Sequence, residues 1–261
     1  MANVSAYIIG YNEERKIKQA IDSVIGWASE VIVVDSFSTD KTAEIAALAG
    51  AKVVQVPFEG FGKLRNDAID NCKHDWIFSL DADERCTPEA RDEIKKIITE
   101  EYKKGQPVAY YVPRKNFFLG QWIKHSGWYP DYRQPQLFRK NSMRYMEDAV
   151  HERYKVEGET GIMKNAIWQY PFENLEQILA KTNRYSSLGA QKLLNKKKGG
   201  LRVALLHGIT SFIQTYFIKK GFLDGRAGLV IAMYNFTSTY YKYIKLAELQ
   251  HNWKEPTGIK K

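Results

Sequence analysis

Four short apolar runs, at residues 4–9, 31–34, 53–56 and 76–80, each give way to polar or turn-forming residues, and the stretches between them carry helical spacing. This alternation constrains the fold more than any other feature. Runs of four to six apolar residues read as strands buried on both faces, and such strands belong to parallel sheets covered by helices. Ile17, Ala20, Ile21 and Val24 follow the i, i+3, i+4, i+7 pattern and predict a helix over residues 13–27. Asp40 is placed to cap an Ala-rich helix ending near Gly50, and Pro57 stops the third strand. Residues 63–71 read as helical. Thr87-Pro88 supplies an N-cap and first-turn pair for a helix whose core face is Ile94, Ile97 and Ile98. The β-α-β-α order predicts an α/β fold with a mostly parallel sheet flanked by helices. Ligands of such sheets bind beyond the carboxyl ends of the strands. The residues just after the strands therefore matter most: Tyr11-Asn12-Glu13, Asp35-Ser36 and Asp81-Ala82-Asp83.

Residues 108–112 and 136–139 read as further strands. Between them lies a stretch rich in Gly and aromatics, with Phe117, Phe118, Trp122, Trp128 and Tyr129, which reads as a substrate-facing loop or a packed hydrophobic flap. After Pro171 the pattern becomes helical. Asn174 caps a helix with Leu175, Ile178, Leu179, Thr182 and Leu193 on one face. Lys196-Lys197-Lys198-Gly199-Gly200 breaks it, residues 203–218 form a second helix, 221–228 a loop, and 229–249 a third helix. The expected domains are a catalytic domain, residues 1–170, and a basic C-terminal helical region, residues 171–261.

Charge follows the same division. Residues 171–261 hold 15 Lys and Arg against 5 Asp and Glu, while residues 1–170 hold 24 against 25. All of the net charge of +9 thus lies in the last third, which suits an anionic surface. Residues 203–218 are shorter than a span of about 20 apolar residues and contain His207, Thr210, Ser211, Gln214 and Thr215, so the segment reads as core or interfacial. A basic amphipathic tail of this kind is expected to sit peripherally on an anionic membrane. Cys72 and Cys86 form no disulfide framework, and the first strand leaves no room for a signal peptide ahead of it, so a reducing, cytoplasmic setting is expected.

The acids after the fourth strand carry the strongest chemical signal. On a strand, Asp81 and Asp83 would share a side and converge at the sheet edge. Two carboxylates there repel unless a hard divalent cation such as Mg²⁺ or Mn²⁺ neutralises them, and such ions take a few carboxylates together with phosphate oxygens. The alternative is an acidic helix N-terminus ahead of Thr87-Pro88. Asp35 sits at a second strand end, where a carboxylate can accept from a base N–H or a ribose hydroxyl. Lys63 and Arg65 read either as phosphate neutralisers or as a solvated helix face. His151-Glu152-Arg153-Tyr154-Lys155 is not a zinc-protease motif, and no Gly-rich phosphate loop follows any strand. Clustered acids at the sheet edge, without a nucleic-acid motif, argue against a nucleic-acid partner.

Tyr11-Asn12-Glu13-Glu14, then Val33-Val34-Asp35-Ser36 with Asp40 and Thr42, then Leu80-Asp81-Ala82-Asp83-Glu84, resemble in order and spacing glycosyltransferase family 2, of the GT-A fold. Val150-His151-Glu152, Lys220-Gly221-Phe222-Leu223-Asp224-Gly225-Arg226-Ala227-Gly228 and Tyr241-Lys242-Tyr243-Ile244-Lys245-Leu246 resemble the bacterial lipopolysaccharide inner-core β-1,4-glucosyltransferase subgroup. The resemblance covers residues 3–249. It implies a UDP-sugar donor, with Asn12 and Glu13 lining the nucleoside pocket, Asp35 on the uracil, Asp81 on the ribose and Asp83 on the metal. It also implies a carboxylate base, Glu152 or, in competition, Asp148. The activity implied is inverting transfer of a hexose, glucose first, to a hydroxyl of a lipopolysaccharide inner-core heptose, at the inner face of the cytoplasmic membrane. A capsular, lipid-linked or protein acceptor is the alternative. Trp122, His125, Trp128, Arg133 and Arg226 are candidates for the acceptor surface.

Overall fold

The computed structural model describes residues 3–100, 105–146 and 153–251. The chain divides into two units, residues 1–115 with 130–170 and residues 116–129 with 171–261. In the first unit, β1 (Val4–Gly10), α1 (Ile17–Asp22), β2 (Glu30–Asp35), α2 (Thr42–Leu48), β3 (Lys52–Gln55), α3 (Phe61–Asn71) and β4 (Trp76–Asp81) alternate as expected. A short β5 (Glu84–Arg85) and α4 (Pro88–Thr99) follow, then β6 (Ala109–Tyr111). The chain leaves along β7 (Arg114–Phe118), turns into β8 (Gln121–Trp122), and returns through β9 (Pro135–Arg139), β10 (Met143–Tyr145), β11 (Tyr154–Val156), β12 (Thr160–Ile162) and β13 (Ile167–Gln169).

The main sheet has seven strands in the order β12-β6-β9-β4-β1-β2-β3. β4, β1, β2 and β3 are mutually parallel, and β9 runs antiparallel to both β4 and β6. The central strands are buried on both faces because their side chains alternate between two cores. Val4, Ala6 and Ile8 join Ile17, Ile21, Val24 and Ile94 on one face, whereas Tyr7 and Ile9 join Ile32, Leu64, Ile69 and Phe138 on the other. Thr87 caps α4 by accepting from the Ala90 N–H at 3.1 Å, with Pro88 in the first turn. Cys72 and Cys86 are free and buried, and burial pushes each thiol up to about 12.

Regular α1 is six residues long and not fifteen. The Ser23 hydroxyl donates to the Ala20 carbonyl and the Trp27 indole to the Ser23 carbonyl, a local competition that breaks the helical ladder. Ile17, Ala20, Ile21 and Val24 are nonetheless all fully buried, as their spacing predicts.

The second unit contains α5 (Leu175–Leu193), α6 (Leu201–Ile213) with a π turn at Gln214–Ile218, a 3₁₀ turn at Gly221–Asp224, and α7 (Gly225–His251). Asn174 caps α5 through the Gln177 N–H at 3.0 Å. The buried stripe of α5 is Ile178, Thr182, Ser186 and Ala190, while Leu175 and Leu179 are exposed. Small polar residues let α7 approach α5, and Lys245 Nζ reaches the Asn183 carbonyl, Ser186 and Ser187. An apolar period does not register such a face. The expected loop at 221–228 is half helix, since α7 begins at Gly225. The aromatic stretch is core in this unit: Phe118 and Ile123 pack with Ile178, Ala227 and Ile231, and with Trp128, Phe172 and Tyr234. None of the described helices is long and apolar enough to cross a membrane.

Candidate active site

In the sheet register Gly10 lies opposite Asp35 and Ile9 opposite Asp81. The carboxyl ends of β2, β1 and β4 therefore fall in one row, at the point where the chain, having added strands on one side of β1, crosses to the other. That switch is where open α/β sheets hold ligands.

The loops after β1 and β2 are tied together. Asn12 takes a left-handed conformation (φ 55°), which Asn tolerates, and its side-chain oxygen accepts from the Thr39 N–H at 2.8 Å. The Asn12 N–H donates to the Ser38 hydroxyl at 2.8 Å, and the Glu13 N–H to the Thr42 hydroxyl at 2.7 Å. Asp40 stands one residue ahead of the helix N-cap. It accepts from the Thr42 N–H and from the Glu14 N–H, so it braces the two loops as well as starting α2. Asp35 is fully buried; it accepts from the Ser38 N–H and hydroxyl and from the Gln55 amide. Phe37, also left-handed at φ 56°, is 55% exposed. A bulky residue held there is strained by about 1–3 kcal/mol, a feature common at ligand sites. Tyr11 is exposed in the loop after β1, Phe58 in the loop after β3 and Phe61 at the first position of α3. Tyr11 belongs to the post-strand residues that the sequence singled out, whereas Phe58 and Phe61 were not among its candidates.

β4 ends at Asp81, and Ala82-Asp83 is a turn. Asp81 and Asp83 are therefore brought near each other by a turn and not by strand alternation. Glu84, fully buried, closes that turn by accepting from the Asp81 N–H at 2.9 Å and from the Gln136 amide at 2.8 Å. Its other oxygen pairs with the fully buried Arg114. Both terminal nitrogens of Arg114 lack a hydrogen-bond partner among the described residues. Arg85 seals the turn from the other side by donating to the Ala82 and Lys16 carbonyls. Arg65, only 3% exposed, is no solvated residue: it pairs with Asp81 at 2.9 Å and reaches the Ser79 hydroxyl at 3.4 Å. Lys63 pairs with Asp67 one turn along α3.

These surroundings drive the two acids apart. Burial alone would raise Asp81, but the guanidinium charges of Arg65 and Arg114 outweigh it and hold the carboxyl below its ordinary value. Burial and the neighbouring Asp81 charge push Asp83 up, against a hydrogen bond from the Gln169 amide at 3.2 Å. Gln169 is in turn held by Arg133 at 3.2 Å, and Arg133 by Asp131 at 2.9 Å. Glu84 was part of the sequence motif without an assigned role, and Arg114, Gln136 and Gln169 were not anticipated. Arg114 alternates with Asn116 and Phe118 on β7, a pattern that reads equally as a solvated face.

Among the described residues no three His, Cys, Asp or Glu side chains gather as a complete metal cage. Two hard carboxylates, one of them destabilised by the other's charge, fit an Mg²⁺ or Mn²⁺ ion that takes its remaining ligands from phosphate and water. Asp148 and Glu152, the candidate bases, lie outside the described residues.

In the second unit, Asp224 is a brace. Its carboxylate accepts from the Lys124 and His125 N–H groups and from the Ser126 hydroxyl at 2.8 Å, and its carbonyl from Gln121. His125, a candidate for the acceptor surface, has its ring nitrogen 3.2 Å from Asp224. A Cβ on Gly228 would lie 1.8 Å from the Gly221 carbonyl oxygen and one on Gly221 2.8 Å from the Thr215 carbonyl oxygen, so close approach requires these two glycines, while Gly225 takes a left-handed φ of 57°. Trp128 packs in the helical core, whereas Trp122 is half-buried beneath Lys124.

The family model for glycosyl transferase family 2 matches residues 5–171. An uncharacterized glycosyltransferase of Rickettsia bellii is 33% identical over 258 residues, covering 94% of this chain and 86% of that protein. The lipopolysaccharide core biosynthesis glycosyltransferase LpsC of Rhizobium meliloti is 28% identical over 259 residues, covering 94% and 91%. A solved structure of glucosyl-3-phosphoglycerate synthase from Mycobacterium tuberculosis, in complex with Mn²⁺, UDP and glucosyl-3-phosphoglycerate, is 26% identical with a TM-score of 0.35. That likeness covers 45% of this chain and 44% of that one.

Proposed function

The chain belongs to glycosyltransferase family 2, and from that premise we propose that it transfers a hexose, glucose first, from a UDP-sugar to a hydroxyl of a lipopolysaccharide inner-core acceptor with inversion. The observation that carries this reading is the turn at Asp81-Ala82-Asp83. It sits at the carboxyl end of β4, in the row that holds Gly10 and Asp35, with one carboxyl lowered and the other raised. The similarity to LpsC supports the acceptor class.

In this reading residues 1–170 bind the donor, and residues 171–261 serve the acceptor and a membrane surface on its cytoplasmic side. Asn12, Glu13 and Asp35 form the nucleoside end of the site. Asp81, fixed by Arg65, meets the ribose. Asp83, with Asp81 beside it, would hold a divalent cation, whose chemistry is to neutralise charge on the diphosphate leaving group. Lys63 and Arg65 add positive charge beside that group. A carboxylate, Glu152 before Asp148, takes the proton from the acceptor hydroxyl. The freed oxygen attacks the anomeric carbon on the face opposite the nucleotide, and a single displacement converts an α-linked donor into a β-linked product.

The test is calorimetric titration with UDP, GDP and UDP-sugars, with and without Mn²⁺. UDP binding should require the cation and weaken about tenfold or more in Asp83→Ala. Glu152→Gln should lose transfer yet keep UDP binding. Equal binding of UDP by wild type and Asp83→Ala in the presence of Mn²⁺ would remove Asp83 from the metal.

A further inference from the structure

α6 is built inside out for a helix in water. Its buried positions are small: Ala204 and Gly208, with Thr215 in the π turn, and a Cβ on Gly208 would already touch the Phe236 ring at 3.0 Å. Polar bonds fix this side to α7, with Ser211 donating to the Asn235 carbonyl and Asn235 to Thr215. The large apolar side chains face outward. Leu201, Leu205, Leu206, Ile209 and Ile213 are all 40% exposed or more. At about 100° per residue they fall within an arc of roughly 140°. The π turn takes more residues per revolution and so carries Phe217, 56% exposed, back beneath that arc, where α-helical spacing would rotate it to the edge. A soluble helix normally shows the reverse arrangement.

The charge around this face has one sign. From residue 177 to residue 223 there is no Asp or Glu, against nine Lys and Arg. Lys196, Lys197, Lys198 and Arg202 stand exposed at one end of α6, and Lys219 and Lys220 at the other. No described helix qualifies as a span. A row of bulky apolar side chains with cations at both ends and no acids fits a helix lying in the headgroup layer of an anionic bilayer: the chains enter the acyl boundary while Lys and Arg meet lipid phosphate.

We propose that α6 with its π turn is the membrane-docking element of this protein, lying flat on anionic lipid through Leu205, Leu206, Ile209, Ile213 and Phe217. This deepens the membrane part of the proposed function and does not depend on the identity of the donor, since vesicle binding and nucleotide binding are separate measurements.

The experiment is co-sedimentation of the full chain with phosphatidylglycerol/phosphatidylethanolamine vesicles and with phosphatidylcholine vesicles, across a salt series. The expected result is binding to the anionic vesicles only, weakening as salt rises. Leu206→Ser/Phe217→Ser, at two positions more than half exposed, should lower the partition coefficient by about tenfold or more with unchanged circular dichroism. Lys196→Gln/Lys197→Gln/Lys198→Gln should lower it at low salt and lose the difference at high salt. Failure of the wild type to bind anionic vesicles, or full binding by the Leu206/Phe217 variant, would overturn the proposal. So would a wild-type dimer, seen by sedimentation velocity, that the same variant makes monomeric without any lipid binding, since the face would then belong to a second copy.

Discussion

Asp83 and Asp81 are two carboxyls in one turn with opposite linkage to pH. Asp83 is raised by burial and by the Asp81 charge. As pH rises, the unfolded chain gives up this proton before the folded one does, so stability falls between the ordinary carboxyl value and the raised one. The metal-free variant Asp83→Asn should therefore melt higher than wild type at pH 7, with the difference closing near about pH 3, where both states hold the proton. Mn²⁺ should raise the melting temperature of wild type and leave the variant unmoved; a variant that melts lower than wild type at pH 7 would contradict this account. Asp81 works the other way: its stabilisation is present above the unfolded value and lost as pH falls through its lowered one. The Glu84–Arg114 pair is fully buried, and removing one partner strands the other. Arg114→Met should cost about 3–5 kcal/mol in urea unfolding, and Glu84→Gln added to it should recover a large part of that. Asp81 and Asp83 were legible as a motif. Their fixed difference was not, because it comes from burial and from Arg65 and Arg114, which lie 16 and 33 residues from Asp81 along the chain.

At the level of elements, spacing located the helices better than it delimited them. Ile17, Ala20, Ile21 and Val24 are buried as their period requires, yet Ser23 cuts α1 short by donating its hydroxyl to the Ala20 carbonyl. α5 buries Thr182, Ser186 and Ala190, because what it meets is the closely approaching α7 and its Lys245. The motif from Lys220 to Gly228 pointed by resemblance to a subgroup. In the fold it is a joint: a left-handed Lys220, a 3₁₀ turn, and Asp224 gathering the backbone of residues 124–125. Gly228→Ala should cost about 1–3 kcal/mol or more, since its Cβ would meet backbone that cannot move aside. Gly26→Ala, with nothing within 4 Å of its Cβ, should be close to neutral. Equal losses in the two variants would mean that the Gly221–Gly228 approach is not what the motif protects.

For the whole molecule, the residues proposed for the nucleotide all lie in the first unit and the outward apolar face in the second. The Leu206→Ser/Phe217→Ser variant should therefore keep the wild-type affinity for UDP and Mn²⁺ while losing vesicle binding; a parallel loss of both would show that the two surfaces are coupled. What the sequence by itself determined is the parallel sheet, the row of polar residues at its carboxyl edge and the basic last third. Each of these is a matter of local period or local composition: two-sided burial demands unbroken apolar runs, and charge is carried residue by residue. What only the tertiary structure decided is which acid is raised and which lowered, that residues 116–129 pack with the helices, and that α6 turns its small residues inward. Those outcomes depend on burial and on partners distant in sequence, and the same Leu or Asp has a different energy according to what the fold sets beside it.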